Sequence, residues 1–237
     1  MKNKKNDQIA AKQKHKEQFK AKRRAEPSLD RSVAKLFDKP IILIVCEGKN
    51  TEPSYFKQFK NSLIQIEPIG EGYNTISLVN RAKQLEKRKN YDQIWCVFDA
   101  DPKPDNPNQV QNFNKAIKLA EKNKFAVAYS NQAFEYWFIL HLNDHQGGEM
   151  HRKDYNKKIN DLLAPHNITY DGNGSKIVSE DFFEILNGID GKTRKKRVDL
   201  AIKRAEKNYK KFTHSNHAKK ESSTTVFKLV RTLLKYV

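Results

Sequence analysis

Two stretches of this chain are apolar without a break, Ile41–Cys46 (IILIVC) and residues 94–98 (IWCVF). A strand with one wet face alternates apolar and polar residues. A run with no polar member has to hide both faces, and helices on both sides of a parallel sheet achieve that. The intervening sequence agrees. Residues 52–60 read as a short helix with Pro53 in its first turn, where a missing N–H costs nothing. Residues 63–69 alternate as a second strand, and Ile76, Val79, Ala82 and Leu85 recur at helical spacing behind Asn74 or Thr75 as a cap. A loop rich in Pro, Asp and Asn follows residue 98, then a helix marked by Phe113, Ile117 and Ala120, then a strand at 125–129. This alternation predicts an α/β fold, a parallel sheet flanked by helices. From residue 133 the pattern turns helical. Val198, Ala201, Ile202, Ala205, Tyr209 and Phe212 share one face, and a last helix holds Val226, Leu229, Val230, Leu233 and Leu234 behind Ser223 or Thr224. The expected organisation is a basic flexible arm (1–26), a core (38–145) and a C-terminal helical extension packed on it (146–237).

The chain is polar for such a fold, with 37% hydrophobic and 31% charged residues and a net charge of +18. The charge is concentrated. Residues 1–26 hold ten Lys or Arg against Asp7, Glu17 and Glu26, and residues 192–211 hold ten against Asp199 and Glu206. A nearly neutral body with two cationic segments suits a polyanionic partner, each neutralised phosphate adding salt-dependent affinity. The plainer alternative is a solubilising tail and a solvated helix face. No apolar stretch approaches the roughly 20 residues that span a bilayer, and the lysine-rich start lacks the apolar segment of a secretory signal. A cytoplasmic protein is therefore expected. Cys46 and Cys96 sit inside the apolar runs and form no CxxC pair, which predicts reduced core residues and argues against a thiolate zinc site.

Functional groups of an open α/β sheet collect beyond the carboxyl ends of its strands. Two acidic motifs fall there. Glu47 ends the first apolar run, with Gly48 for a tight turn and Glu52 five residues on; Asp99 and Asp101 end the second, before Pro102. Carboxylates gathered at one point repel one another unless a cation is shared, and hard oxygen donors suit Mg²⁺. Each motif alone is weak, and Glu52 has a second reading as an N-terminal helix carboxylate. Both motifs lying at the same end of one sheet is the stronger signal.

Four blocks in order, VCEGKNTEPSYF, VFDADP, SNQAFEYWFILHL and SSTTVFKLV, resemble the RloB-like family over the span from Ile41 to the C-terminus. That family is regarded as a Toprim-fold group, related in its core to OLD-type nucleases and found near bacterial defence loci. The resemblance implies a Toprim-like core. Glu47, Asp99 and Asp101 would bind Mg²⁺, with Mn²⁺ substituting, and support phosphodiester chemistry; the E-G-x-x-T-E form adds Glu52. The third block departs from the family's S-N-P-x-F-E at Gln132 but keeps Ser130, Asn131 and Glu135, which makes Glu135 a further candidate beside its alternative role as a helix-start carboxylate.

The expectation is a metal-dependent nuclease acting on DNA or RNA, an effector of anti-phage defence working with a partner ATPase. Lys49 is a candidate phosphate contact, and Arg194, Lys195, Lys196 and Arg197 are candidates to hold the nucleic-acid backbone. The alternative is a non-catalytic nucleic-acid-binding module, or a partner-gated subunit of an ATPase complex. Other signals fall away. The GKNT of Gly48–Thr51 lacks the upstream glycine of a phosphate loop, having Leu43 instead. His141 and His145 lack a zinc protease's glutamate, with Leu142 in its place. The YDGNGSK segment around Gly172 and Gly174 reads as a flexible loop, and Tyr136, Trp137 and Phe138 read as core.

Overall fold

The computed structural model describes residues 12–18, 20, 39–101, 108–145, 150–213 and 215–237. Residues 1–38 and 39–237 form two compact units. In the first, residues 12–18 are helical; the rest of the expected basic arm, apart from residue 20, lies outside the described residues, as does Pro102.

The second unit is built on four strands: β1 (Ile41–Cys46), β2 (Gln65–Gly70), β3 (Gln93–Asp99) and β4 (Ala126–Ser130). All pair in parallel, in the order β2-β1-β3-β4. Among the described residues eight α-helices accompany them: α1 (Thr51–Lys57), α2 (Thr75–Glu86), α3 (Asn108–Lys122), α4 (Glu135–Leu142), α5 (Tyr155–Leu163), α6 (Glu180–Asn187), α7 (Arg197–Lys210) and α8 (Val226–Leu233). The expected α/β class with C-terminal helices is what the chain forms.

Side chains of a strand alternate between faces, so the two apolar runs feed two cores. Ile42, Ile44, Cys46, Trp95 and Val97 face one, with Tyr55 and Phe56 of α1. Leu43, Val45, Ile94, Cys96 and Phe98 face the other, against Leu78, Val79 and Ala82 of α2 and Phe113, Ala116 and Ile117 of α3. The connection β1-α1-β2 moves one way along the sheet, and β2-α2-β3 and β3-α3-β4 move the other. Right-handed crossovers therefore put α1 on one face and α2 and α3 on the opposite face. Both cysteines are buried and free.

The ends of elements are where periodicity misleads. The second strand begins at Gln65 rather than residue 63, because Leu63 is exposed and precedes the first pairing of Gln65 with Ile41. Pro68 within this strand is tolerated because β2 is an edge. Thr225, not Ser223 or Thr224, stands at the N-cap of α8, and it is Thr224 Oγ1 that accepts from Val226 N (3.2 Å).

Helix α4 (EYWFILHL) has no polar stripe, and Tyr136 through His141 are all buried. A helix apolar all round belongs inside. Trp137 Nε1 donates to Tyr55 Oη (2.9 Å), His141 Nδ1 donates to Leu186 O (2.7 Å), and Arg204 Nη1 donates to Leu140 O (2.8 Å) at the helix's C-terminus. Burial holds the His141 pKa down, to about 3. His141 and His145, which pairs with Tyr136 Oη (3.0 Å), are therefore placed by packing.

Candidate active site

The strand order places the reversal of connectivity between β1 and β3. There the chain departs to opposite sides and leaves a crevice beyond the carboxyl ends of the two strands. Glu47 follows β1 directly and Asp99 is the last residue of β3, so the crevice receives one carboxylate from each. Glu47 N donates to Val97 O (2.9 Å), and its Oε2 accepts from Asp99 N (3.1 Å).

Glu52 arrives from the first turn of α1 and is 4% exposed. Its Oε1 accepts from Gly48 N (3.2 Å), closing the turn between strand and helix. The glycine matters through proximity: a Cβ at position 48 would stand 2.1 Å from Glu52 Oε2. Gly70 serves the same turn, since its Cβ would lie 2.6 Å from Gly48 O and from Lys49 Cα. Glu135, at the start of α4, accepts from Tyr170 Oη (3.1 Å), and Asp99 Oδ2 accepts from Phe134 N (3.1 Å). Asp101, in a left-handed backbone conformation (φ 35°), is ion-paired with Arg152.

These groups line one pocket of about 300 Å³: Glu47, Glu52, Asp99, Asp101 and Glu135, with Lys49, Arg152 and Lys176. The structure thus brings together all five carboxylates singled out from the sequence, and Lys49 with them. Arg194, Lys195, Lys196 and Arg197 line neither this pocket nor its neighbour. Arg197 Nη1 donates instead to Ile185 O (2.9 Å) at the end of α6, and Lys196 borders a separate apolar pocket with Phe59 and Phe183.

The crowding shows in the proton affinities. Burial, and then the charges of Glu135 and Glu47, raise the Glu52 pKa to about 7, against the pull of the Gly48 N–H. Asp99 rises well above the carboxylate range because the surrounding protein withholds water and Glu52, Glu47 and Glu135 repel its charge; Arg152 offsets only part of this. Such a group of hard oxygen donors, crowded so that their charges repel, fits a divalent ion such as Mg²⁺ in chemistry. Among the described residues no three His, Cys, Asp or Glu side chains stand arranged as a closed metal-binding group. Glu47 is turned to a backbone N–H, Glu135 to a tyrosine and Asp101 to an arginine.

Sequence reasoning passed over three residues of this site. Arg152 and Lys176 come from the region after α4 and carry no motif. Tyr170, whose Oη also meets Thr51 Oγ1 (3.3 Å), fell with Lys176 in the YDGNGSK segment read as a flexible loop. The third and fourth sequence blocks turn out to hold one another. Asn131 Nδ2 donates to His217 O (2.9 Å) and Asn131 N to Ser223 O (3.0 Å), Ser223 Oγ donates to Asn131 Oδ1 (2.7 Å), and Ser130 pairs with Thr224 as an antiparallel bridge. This buried polar seam fixes the start of α4, and so the height at which Glu135 enters the crevice.

No curated protein and no solved structure matches the sequence. The family model described as RloB-like protein matches residues 42–233, which includes every residue of the acidic pocket. The chain therefore belongs to the RloB-like family.

Proposed function

We propose that the chain is a divalent-metal-dependent nuclease that hydrolyses nucleic-acid phosphodiester bonds, an effector of bacterial anti-phage defence. The observation that carries this reading is the convergence of Glu47, Glu52, Asp99, Asp101 and Glu135 on one pocket at the switch point of the sheet. Glu47, Asp99 and Asp101 are the residues that would hold Mg²⁺, or Mn²⁺ in its place. The bound ion would supply a polarised phosphate and an activated water. Glu52, buried in the same pocket beside those three carboxylates, would take the proton from water at its carboxylate. The Gly48 N–H fixes one oxygen of that carboxylate, and Tyr170 fixes Glu135, so both carboxylates are held rather than swinging. Lys49, which lines the acidic pocket, would meet a phosphate oxygen, and Arg194, Lys195 and Lys196, which line neither it nor its neighbour, would meet the backbone only at a distance from the crevice.

One observation favours gating, the second reading. Asp101 is already neutralised by Arg152 of the same chain, a contact that a partner such as an ATPase subunit would open. The test is incubation with mixed single- and double-stranded DNA and RNA in Mg²⁺, Mn²⁺ or EDTA. The expected result is metal-dependent fragments from at least one substrate. Intact substrates in both metals, alone and with the partner ATPase, would remove the nuclease reading.

A further inference from the structure

The acidic pocket presents a difficulty for the reaction proposed: five carboxylates repel a polyanion. Whatever draws a phosphodiester in has to be cationic and has to face the same space. Arg194–Arg197 do not. A second cavity of about 500 Å³ opens beside the first and shares Asp101, Glu135, Arg152 and Lys176 with it. Lys153 adds a third cation to its wall.

Lys176 is held there by a built loop. Asp171 accepts from Gly174 N (2.8 Å) and Ser175 N (2.7 Å), and Lys176 N donates to Asp171 O (2.9 Å). Asn156 Oδ1 accepts from Gly172 N (3.0 Å), and Asn160 brackets Tyr170 through both its N–H and its C=O (2.8 and 2.9 Å). Asn50 Nδ2 reaches across to Ser175 O (2.9 Å), tying the loop to the turn that carries Glu47 and Lys49. Lys176 itself adopts φ 55°, a left-handed conformation that costs a side-chain-bearing residue about 1 kcal/mol and persists only where its surroundings impose it. The DGNGSK segment, flexible by composition, is a fixed arm that sets a lysine at the mouth of the crevice. Arg152 stands at the same mouth, its guanidinium on Asp101.

We infer that Arg152 and Lys176 form a phosphodiester-binding clamp at the boundary of the two cavities, taking one backbone phosphate of a nucleic-acid strand. The neighbouring nucleotide would lie in the larger cavity. The inference rests on the reading of the acidic pocket as a phosphodiester site. Arg152 offers a planar fork suited to two phosphate oxygens, and Lys176 a single point charge. Both are positioning residues.

The test measures binding of a labelled single-stranded oligonucleotide to the full chain in EDTA, where no metal-dependent cutting consumes it, across a salt series. Lys176→Met should bind roughly tenfold more weakly, with its log K against log salt slope shallower by about 0.7, the loss of one single-strand phosphate contact. Arg152→Met should move the same way, and Arg152→Lys should recover part of the affinity. Lys157→Met is the control: it removes the same charge from the same region, but Lys157 is 83% exposed, paired with Asp161, and lines neither cavity. Clamp variants that bind like Lys157→Met overturn the inference, as does a wild-type protein that binds no oligonucleotide. Wild type that binds but never cuts in Mg²⁺ or Mn²⁺ sinks the nuclease reading alone, and the binding data still decide the clamp.

Discussion

At the scale of single residues the site is a matter of packed charge. Glu52 has its pKa raised from an ordinary value near 4.5 to about 7, so the folded state binds its proton more tightly than the unfolded chain does. Stability from this group is present below pH 4.5 and is lost as pH rises through 7. Glu52→Gln should therefore be more stable than wild type at pH 8 in EDTA by about 1–3 kcal/mol, read as a higher unfolding temperature. The advantage should vanish at pH 4.5; a difference that does not change with pH would contradict it. Gly48→Ala makes a contrasting case. Its Cβ would collide with the flexible end of Glu52, 2.1 Å away, and not with backbone. The protein should melt near the wild-type temperature yet lose about a hundredfold in turnover, the cost of a misplaced catalytic group. Glu47 and Asp99 were legible in the sequence because each ends an unbroken apolar run, so their place on the sheet followed from the strands. Arg152 and Lys176 were not, because they reach the crevice through chain folding after α4 and no local pattern marks such an approach.

At the scale of elements the sheet was legible and the helical part much less so. Strands β1 and β3 announce themselves, since burial on both faces is what tolerates six and five apolar residues in a row. Helices α5 and α6 were submerged in a general helical reading, because a polar helix on the rim is distinguished by few residues: Tyr155, Ile159 and Leu163 in one, Phe182 and Leu186 in the other. The Ser222–Thr225 segment looked like a capping signal. Its larger role is the seam with Ser130 and Asn131, formed across more than 90 residues of chain. Asn131→Ala would leave His217 O and Ser223 Oγ without their side-chain partner in a buried setting. Urea unfolding should show a loss of about 2–4 kcal/mol. A loss below 0.5 kcal/mol would mean that the seam does not hold β4 to the C-terminal segment.

At the scale of the whole molecule, the charge of +18 and the acidic crevice divide the labour. Residues 1–26 and 192–211 would provide attraction to nucleic acid without reading its sequence, while the crevice would do the proposed chemistry on whichever phosphate is delivered. Part of the second segment is already committed to structure, Arg197 to Ile185 O and Arg204 to Leu140 O. The N-terminal segment should then contribute more to affinity. Removing residues 1–26 should flatten the salt dependence of binding and leave the rate of cutting at saturating substrate within about twofold, as measured by salt-series binding and single-turnover cleavage. A truncated protein that binds with an unchanged slope would assign the attraction to the remaining surface.

The most direct measurement compares wild type with Asp99→Asn/Asp101→Asn for cleavage in Mg²⁺ and in EDTA, with nucleic-acid affinity measured on the same samples. The account predicts metal-dependent cutting by wild type, none by the double variant, and affinity at least as tight in the variant, because two negative charges leave the crevice. Cutting that survives in the double variant would contradict the claim that the carboxylates at the ends of β1 and β3 are the catalytic centre.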